Sequence, residues 1–178
     1  MEKQNRQEER LDGEVLFEGR MLRLDRDTVR LPNGHESTRE VVRHPGAVGI
    51  IAILDQQVLL VRQYRYAIAQ ETLEIPAGKL DPQEPPLDCA VRELREETGY
   101  RGTMEHISTF YTTPGFTDEV MHLFLARELV WDPLTPDDDE FIGVERISWD
   151  EAVQRAKQNE FIDAKTILGI LLVQGRMG

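Results

Sequence analysis

Two runs in the middle of the chain are apolar on both faces: AVGIIAIL from Ala47 and, after a short polar turn, QQVLLVRQYR ending at Arg65. Strands of that kind belong at the centre of a covered sheet, and so short a connection pairs the two antiparallel. Ahead of them, from Val15 to Val42, the pattern is shorter and alternating: VLFEG, MLRLD and TVRL, then Asn33-Gly34, the dipeptide best suited to a tight hairpin turn. This predicts a small antiparallel sheet of about 30 residues. Residues 1–12 are polar, which predicts a frayed or loosely helical end.

Downstream, TLEI, HISTFY, MHLFLAREL and GVERIS predict further strands. Helices are predicted over 86–98, over 149–158 with Ser148 as cap, and over 163–174, where Ala164, Ile167, Leu168, Leu171 and Leu172 share one face. There is neither a repeat nor a low-complexity tract. The elements sum to a mixed sheet flanked by helices, an α+β or α/β/α sandwich.

Composition narrows the function. A chain of 178 residues is long enough to bury a real core, and 40% hydrophobic residues agree with that. A formal net charge of −12 repels nucleic acid backbones and anionic membrane surfaces, so neither is expected as a partner. An anionic small molecule fits only where cations or a few placed arginines offset the field. A single cysteine, Cys89, excludes an internal disulfide, and no Cys/His spacing resembles a zinc site. With no signal-peptide stretch and no run near a membrane span, a soluble cytoplasmic protein is expected.

The helix over 86–98 carries the candidate chemistry. Pro85 and Pro86 fit its first turn, Asp88 favours the positive end of its dipole, and Gly99 suits its close. At about 100° per residue, Leu87, Ala90, Val91, Leu94 and Thr98 form an apolar stripe, and Glu93, Glu96 and Glu97 form an arc beside it. Three ionised carboxylates bordering a core call for a cation, and Mg²⁺ or Mn²⁺ prefers such oxygen ligands. The competing reading of the helix alone is a solvated charged face in which Arg92 and Arg95 pair Glu96 and other acids.

The surrounding residues favour the first reading. Gly78, five residues, Glu84, seven residues and then Arg92-Glu93-Leu94-Arg95-Glu96-Glu97-Thr98-Gly99-Tyr100 resemble the signature of the Nudix hydrolases, Gly-x5-Glu-x7-Arg-Glu-U-x-Glu-Glu-x-Gly-U, with U bulky and aliphatic. Every fixed position matches, and the departure at the last U, Tyr100, touches packing and leaves the glutamates intact. The resemblance implies a Nudix-type α/β/α sandwich with a mixed sheet over residues 45–178, preceded by a small antiparallel β region at 1–44. Ile75-Pro76-Ala77-Gly78 is expected to end a strand in a tight turn that frees the Ala77 carbonyl. By resemblance, that carbonyl, Glu93 and Glu97 bind roughly two or three Mg²⁺ or Mn²⁺ ions with Glu96 assisting. Glu93 and Glu97 thereby serve catalysis, and Arg92 and Glu84 orient the glutamates; a structural ion pair is the alternative for the latter two.

The signature fixes chemistry better than substrate. Pro114, fifteen residues beyond Gly99 in YTTPGFTDEV, together with REVVRHPGAV, LLVRQYRYA and ETLEIPAGKL, resembles the ADP-ribose pyrophosphatase branch, over most of residues 13–172. That branch implies hydrolysis of ADP-ribose to AMP and ribose 5-phosphate. Strand alternation lets only some of Arg62, Gln63, Tyr64 and Arg65 face one pocket, and by resemblance Arg65 is the phosphate contact. A surface arginine paired with an acid is its bland alternative. Glu119 reads by default as a solvated loop acid, while its counterpart in the resembling enzymes reaches the metal and phosphate site. Those enzymes carry the general base in the loop matching PLTPDDDEFIG, where register against Ile142 favours Glu140, with Asp138 and Asp139 as candidates.

The N-terminal sheet resembles the segment through which this branch swaps strands, so a homodimer is expected. Arg39 and Glu40 then contact the second subunit's nucleotide, or else form cross-strand charge pairs. Tyr64, Tyr66 and Phe116 are unranked candidates for stacking on adenine. His35, His44, His106 and His122 read as turn or strand residues, Cys89 as helix packing, and Trp131 and Trp149 as cover for the core. Rival readings are a hydrolase for another nucleoside diphosphate sugar, GDP-mannose above all, and a nucleotide-sugar sensor that binds without hydrolysis.

Overall fold

Charge, more than hydrocarbon, aligns the first three strands: β1 (Glu9–Glu18), β2 (Arg23–Arg30) and β3 (Glu36–Arg43). They form an antiparallel sheet in the order β1-β2-β3. The computed structural model describes residues 6–135 and 141–177. The described residues fall into two units, one within Met1–Gly46 and Tyr111–Val120, the other within Ala47–Phe110 and Met121–Gly178. The small sheet belongs to the first. Its central strand buries Asp25 and Asp27 beside Val29. Arg43 reaches Asp25 at 3.0 Å, Asp27 at 3.3 Å and Asp118 at 3.2 Å, and Arg10 reaches Asp27 at 2.8 Å. Arg43, then Arg23, lowers the Asp25 carboxyl below its usual range.

Two expectations change here. The polar start is a strand from Glu9, because Arg30 and Glu9 pair across it at 2.7 Å and Glu14 pairs Arg26, so charge pairing replaces apolar alternation. MLRLD and TVRL both contribute to one strand, Arg23–Arg30, which runs through the two paired aspartates and leaves Met21 and Leu22 ahead of it. The Asn33-Gly34 hairpin turn into β3 stands as expected: Gly34, at φ +87°, donates its N–H to the Leu31 carbonyl at 2.8 Å, and Leu31 N–H donates to the His35 carbonyl at 2.8 Å.

The second unit contains β4 (Ala47–Leu54), β5 (Gln57–Arg65), β6 (Gln70–Glu74), β7 (Ala77–Lys79), α1 (Pro86–Thr98) and most of β8 (Tyr100–Tyr111) and β9 (Val120–Trp131). It closes with β10 (Gly143–Ser148), α2 (Trp149–Lys157) and α3 (Ala164–Met177). The sheet runs β10-β5-β4-β9-β8, with β6 on β5 and β7 on β4. Strands β4 and β9 are parallel, whereas β5 is antiparallel to β4, β6 and β10, so the sheet is mixed as expected.

Alternation sends side chains to two faces. Val48, Ile50, Ala52, Leu59 and Phe124 meet Cys89, Ala90 and Leu94 of α1 on one face. Ile51, Val58, Leu60, Leu123 and Leu125 meet Ala152, Val153, Ala156, Ile170 and Val173 of α2 and α3 on the other. This is the predicted α+β sandwich, and Cys89 packs in it. Ser148 caps α2 by accepting from Glu151 N–H at 3.2 Å. Trp149 packs against the second cluster, but Trp131 is 68% exposed and meets Tyr100 edge to face. Among the described residues, no helix is long and apolar enough to cross a membrane.

Candidate active site

Helix α1 begins at Pro86 and closes on Gly99 at φ +78°, whose N–H donates to the Arg95 carbonyl at 3.1 Å. Its buried face is Cys89, Ala90, Glu93, Leu94, Glu97 and Thr98, so two of the three glutamates lie within the buried arc. Glu93 is 7% exposed and Glu97 6%, while Leu87, expected on the stripe, is half exposed. The rotation has a local cause. Strand β7 passes beside the helix, and a Cβ at Gly78 would overlap the Glu93 carboxylate, so the absent side chain makes the berth for that acid.

Residues 75–78 form no tight turn: Ala77 opens β7, paired with Gly49 of β4, and its N–H donates to Glu97 Oε2 at 2.8 Å. Arg92 is the hub. Its Nε and Nη2 donate to Glu84 at 2.9 Å each, and its Nη1 donates to Glu93 at 2.8 Å and Glu96 at 2.9 Å. Glu84 also accepts from Asp81 N–H at 3.0 Å. Arg92 above all holds the Glu84 carboxyl at about 2, and the acids raise the guanidinium's own pKa. The repulsion between Glu93 and Glu96 is thus answered within the chain by one guanidinium, while Glu97 accepts from the Ala77 N–H.

Among the described residues, no three His, Cys, Asp or Glu side chains stand together at metal-holding spacing. The donors nevertheless fit a hard divalent cation by chemistry, since all are oxygens and two are buried carboxylates with one seated over a glycine. Arg92 occupies Glu93 and Glu96 in this arrangement.

Arg65, at the end of β5, forks onto the buried Glu74 of β6, Nε to Oε1 at 2.7 Å and Nη2 to Oε2 at 2.6 Å. Glu74 raises the Arg65 pKa most, and the charges of Asp163 and Glu97 add to it, which puts Arg65 within the field of the helix. Arg62 pairs with Glu145 at 2.5 Å on β10.

In the first unit, Arg39 and Glu40 line a cavity of about 430 Å³ with Glu8, Tyr111, Phe116 and Asp118. Arg39 pairs with Glu8, Nε to Oε2 at 2.9 Å. Glu119 accepts from Thr112 Oγ1 at 2.5 Å and lies 3.9 Å from His44 Nδ1. Tyr64 and Tyr66 are exposed. Glu140, Asp138 and Asp139 lie outside the described residues. Sequence reading missed Glu8, Tyr111, Glu74 and Lys165, whose Nζ also pairs with Glu74. Only Glu74 carried a signal, a lone acid between the apolar Leu73 and Ile75.

Comparison with known proteins accounts for the glutamate helix. A model of the NUDIX domain matches residues 43–168. The chain belongs to the Nudix hydrolase family. A model of the nucleoside diphosphate sugar hydrolase N-terminal domain matches residues 8–42 of this Nudix protein. It is similar to the methanol dehydrogenase activator of Bacillus methanolicus, 42% identical over 94% of this chain and 93% of that protein. It is equally similar to the ADP-ribose pyrophosphatase of Bacillus subtilis, 41% identical over 94% of this chain and 93% of that protein. The crystal structure of an ADP compounds hydrolase superposes with a TM-score of 0.88 over 98% of this chain and 96% of that one; at 22% identity it speaks for the fold alone.

Proposed function

We propose that this Nudix hydrolase cleaves the diphosphate bridge of ADP-ribose with water, giving AMP and ribose 5-phosphate in the cytoplasm. The observation that carries the reading is the complete glutamate helix, with Glu93 and Glu97 buried beside β7 and Arg92 bound to three carboxylates. Similarity along most of the chain to a protein named ADP-ribose pyrophosphatase supports the substrate.

The Ala77 carbonyl, Glu93, Glu96 and Glu97 would hold Mg²⁺ or Mn²⁺, roughly two or three ions. Bound there, the metal supplies positive charge to the phosphates and acidifies the attacking water. Glu140 takes the proton from that water as general base. Arg65 contacts a phosphate, for which a guanidinium fork is suited, and Glu119 contributes from the Pro-Gly loop. Residues 45–178 form the hydrolase, and residues 1–44 join two copies in a homodimer in which Arg39 and Glu40 bind the second subunit's nucleotide. Tyr111 and Phe116, in the cavity with Arg39 and Glu40, offer rings on which a base can stack, which supports that assignment.

A panel of ADP-ribose, other ADP-sugars and GDP-mannose, scored for AMP and GMP release with Mg²⁺ and then with chelator, tests the reading. AMP from ADP-ribose, abolished by chelator, is expected. GMP release in place of AMP favours the second reading, a hydrolase of another nucleoside diphosphate sugar, which the description of the N-terminal domain model also fits. Binding without release identifies a sensor. A monomer in light scattering at micromolar concentration removes the dimer.

A further inference from the structure

Glu74 is a buried charge to which the reading above gives no role. Its side chain is 2% exposed and accepts from Arg65 at 2.7 and 2.6 Å, from Thr72 Oγ1 at 2.5 Å, and from Lys165 Nζ. A carboxylate offers about four lone-pair sites, so the set is full. Lys165 also meets Asp163 Oδ1 at 3.1 Å. Asp163 in turn accepts from Thr166 N–H at 3.0 Å, and Thr166 Oγ1 accepts from Ile75 N–H at 2.9 Å. The start of α3 is therefore fastened to the segment that runs from Glu74 into Ala77.

Arg65 alone neutralises Glu74, and burying a second cation costs desolvation. What the second cation changes is the surroundings of Arg65. Arg65, Lys165, Glu74 and Asp163 sum to no net charge; without Lys165 the cluster is negative beside a guanidinium that must meet a diphosphate. The Arg65 side chain is 42% exposed, and Glu74 engages its Nε and one hydrogen of Nη2, so the Nη1/Nη2 fork lies outside that pair. Holding one edge of a guanidinium and leaving the other for a phosphate oxygen suits its planar geometry.

We propose that Lys165 is a positioning residue, which balances Glu74 and Asp163, fixes the Arg65 guanidinium in one pose, and so readies it for a phosphate of a nucleoside diphosphate substrate. The inference rests on the functional reading above. It assigns Lys165 no contact with substrate, only an action through Glu74 on Arg65.

Two measurements on the full chain test it. The first follows hydrogen exchange at the Arg65 Nε–H by ¹H–¹⁵N NMR without metal or substrate, the signal being assigned by its loss in Arg65→Lys. Lys165→Met should speed this exchange about tenfold, because Glu74 loses the partner that fixes it. The second compares kcat and KM for ADP-ribose across ionic strength. Lys165→Met should raise KM about tenfold, leave kcat within about threefold, and show a smaller defect at high salt, with Lys165→Arg restoring KM. Lys165→Gln, which keeps a hydrogen-bond donor without the charge, replaces Lys165→Met should the latter not fold. An unchanged KM on an active wild-type background overturns the inference and leaves the functional reading standing, as does a fall in melting temperature alone. If the wild type cleaves nothing in the panel, the functional reading fails; faster exchange then supports the clamp on Arg65, and unchanged exchange overturns it.

Discussion

The Glu93 carboxylate occupies the space that a side chain at Gly78 would fill. A glycine fifteen residues away in sequence is therefore what allows an acid to sit 7% exposed at the edge of an apolar helix face.

Gly78→Ala should displace Glu93 without unfolding the chain, because the methyl meets a side chain and not backbone. Turnover should fall about 10², the usual result of moving a reacting group by an ångström. Circular dichroism and kcat on ADP-ribose check both halves, and a fully active variant means the berth is unimportant.

Glu93→Gln and Glu97→Gln should each abolish most turnover and weaken Mg²⁺ or Mn²⁺ uptake measured by calorimetry, with the fold retained. Full activity in either variant removes the metal platform.

Glu140→Gln should lower kcat by about 10² or more with little change in KM, as loss of a general base does. Should Asp139→Asn give that effect instead, the base lies one residue earlier.

Acid should loosen the protein through Glu74. Burial opposes its charge, but hydrogen bonds from Arg65, the charge of Lys165 and Thr72 outweigh burial and hold the folded carboxyl at about 2, against 4.5 ordinarily. A lowered folded pKa means that this stabilisation is complete above pH 4.5 and disappears as pH falls towards about 2. It is on the order of 3 kcal/mol. Glu84, held at about 2 chiefly by Arg92, acts in the same window. Melting temperatures from pH 7 to pH 2 should drop across that interval, and less steeply in Glu74→Gln.

Where hydrocarbon decides structure, the sequence was a reliable guide. Strand β4 and helix α1 begin and end at Ala47–Leu54 and Pro86–Thr98, as their apolar run and caps predict. Where pairing or close approach decides it, the guide was poorer. Strand β1 carries few apolar residues at its start and is ordered by Glu9–Arg30 and Arg10–Asp27, partners that only the fold brings opposite each other. Strand β7 is three residues long, too short for periodicity to register. The glutamate helix was legible because its residues are local in sequence. The hub role of Arg92 was half legible, since the reach to Glu84 depends on the path of the loop before the helix. Lys165 gave no sign at all: its partner Glu74 lies 91 residues away.

The small N-terminal sheet inverts the usual assignment of residues. Two aspartates fill its interior, and Val29 is its one buried hydrophobic residue among the described residues, while Val15, Leu16, Phe17, Met21 and Leu22 face outward. A layer built this way cannot assemble by squeezing oil from water. Its cohesion is that of an ionic lattice, which added electrolyte weakens, and its greasy exterior is left uncommitted by its own folding.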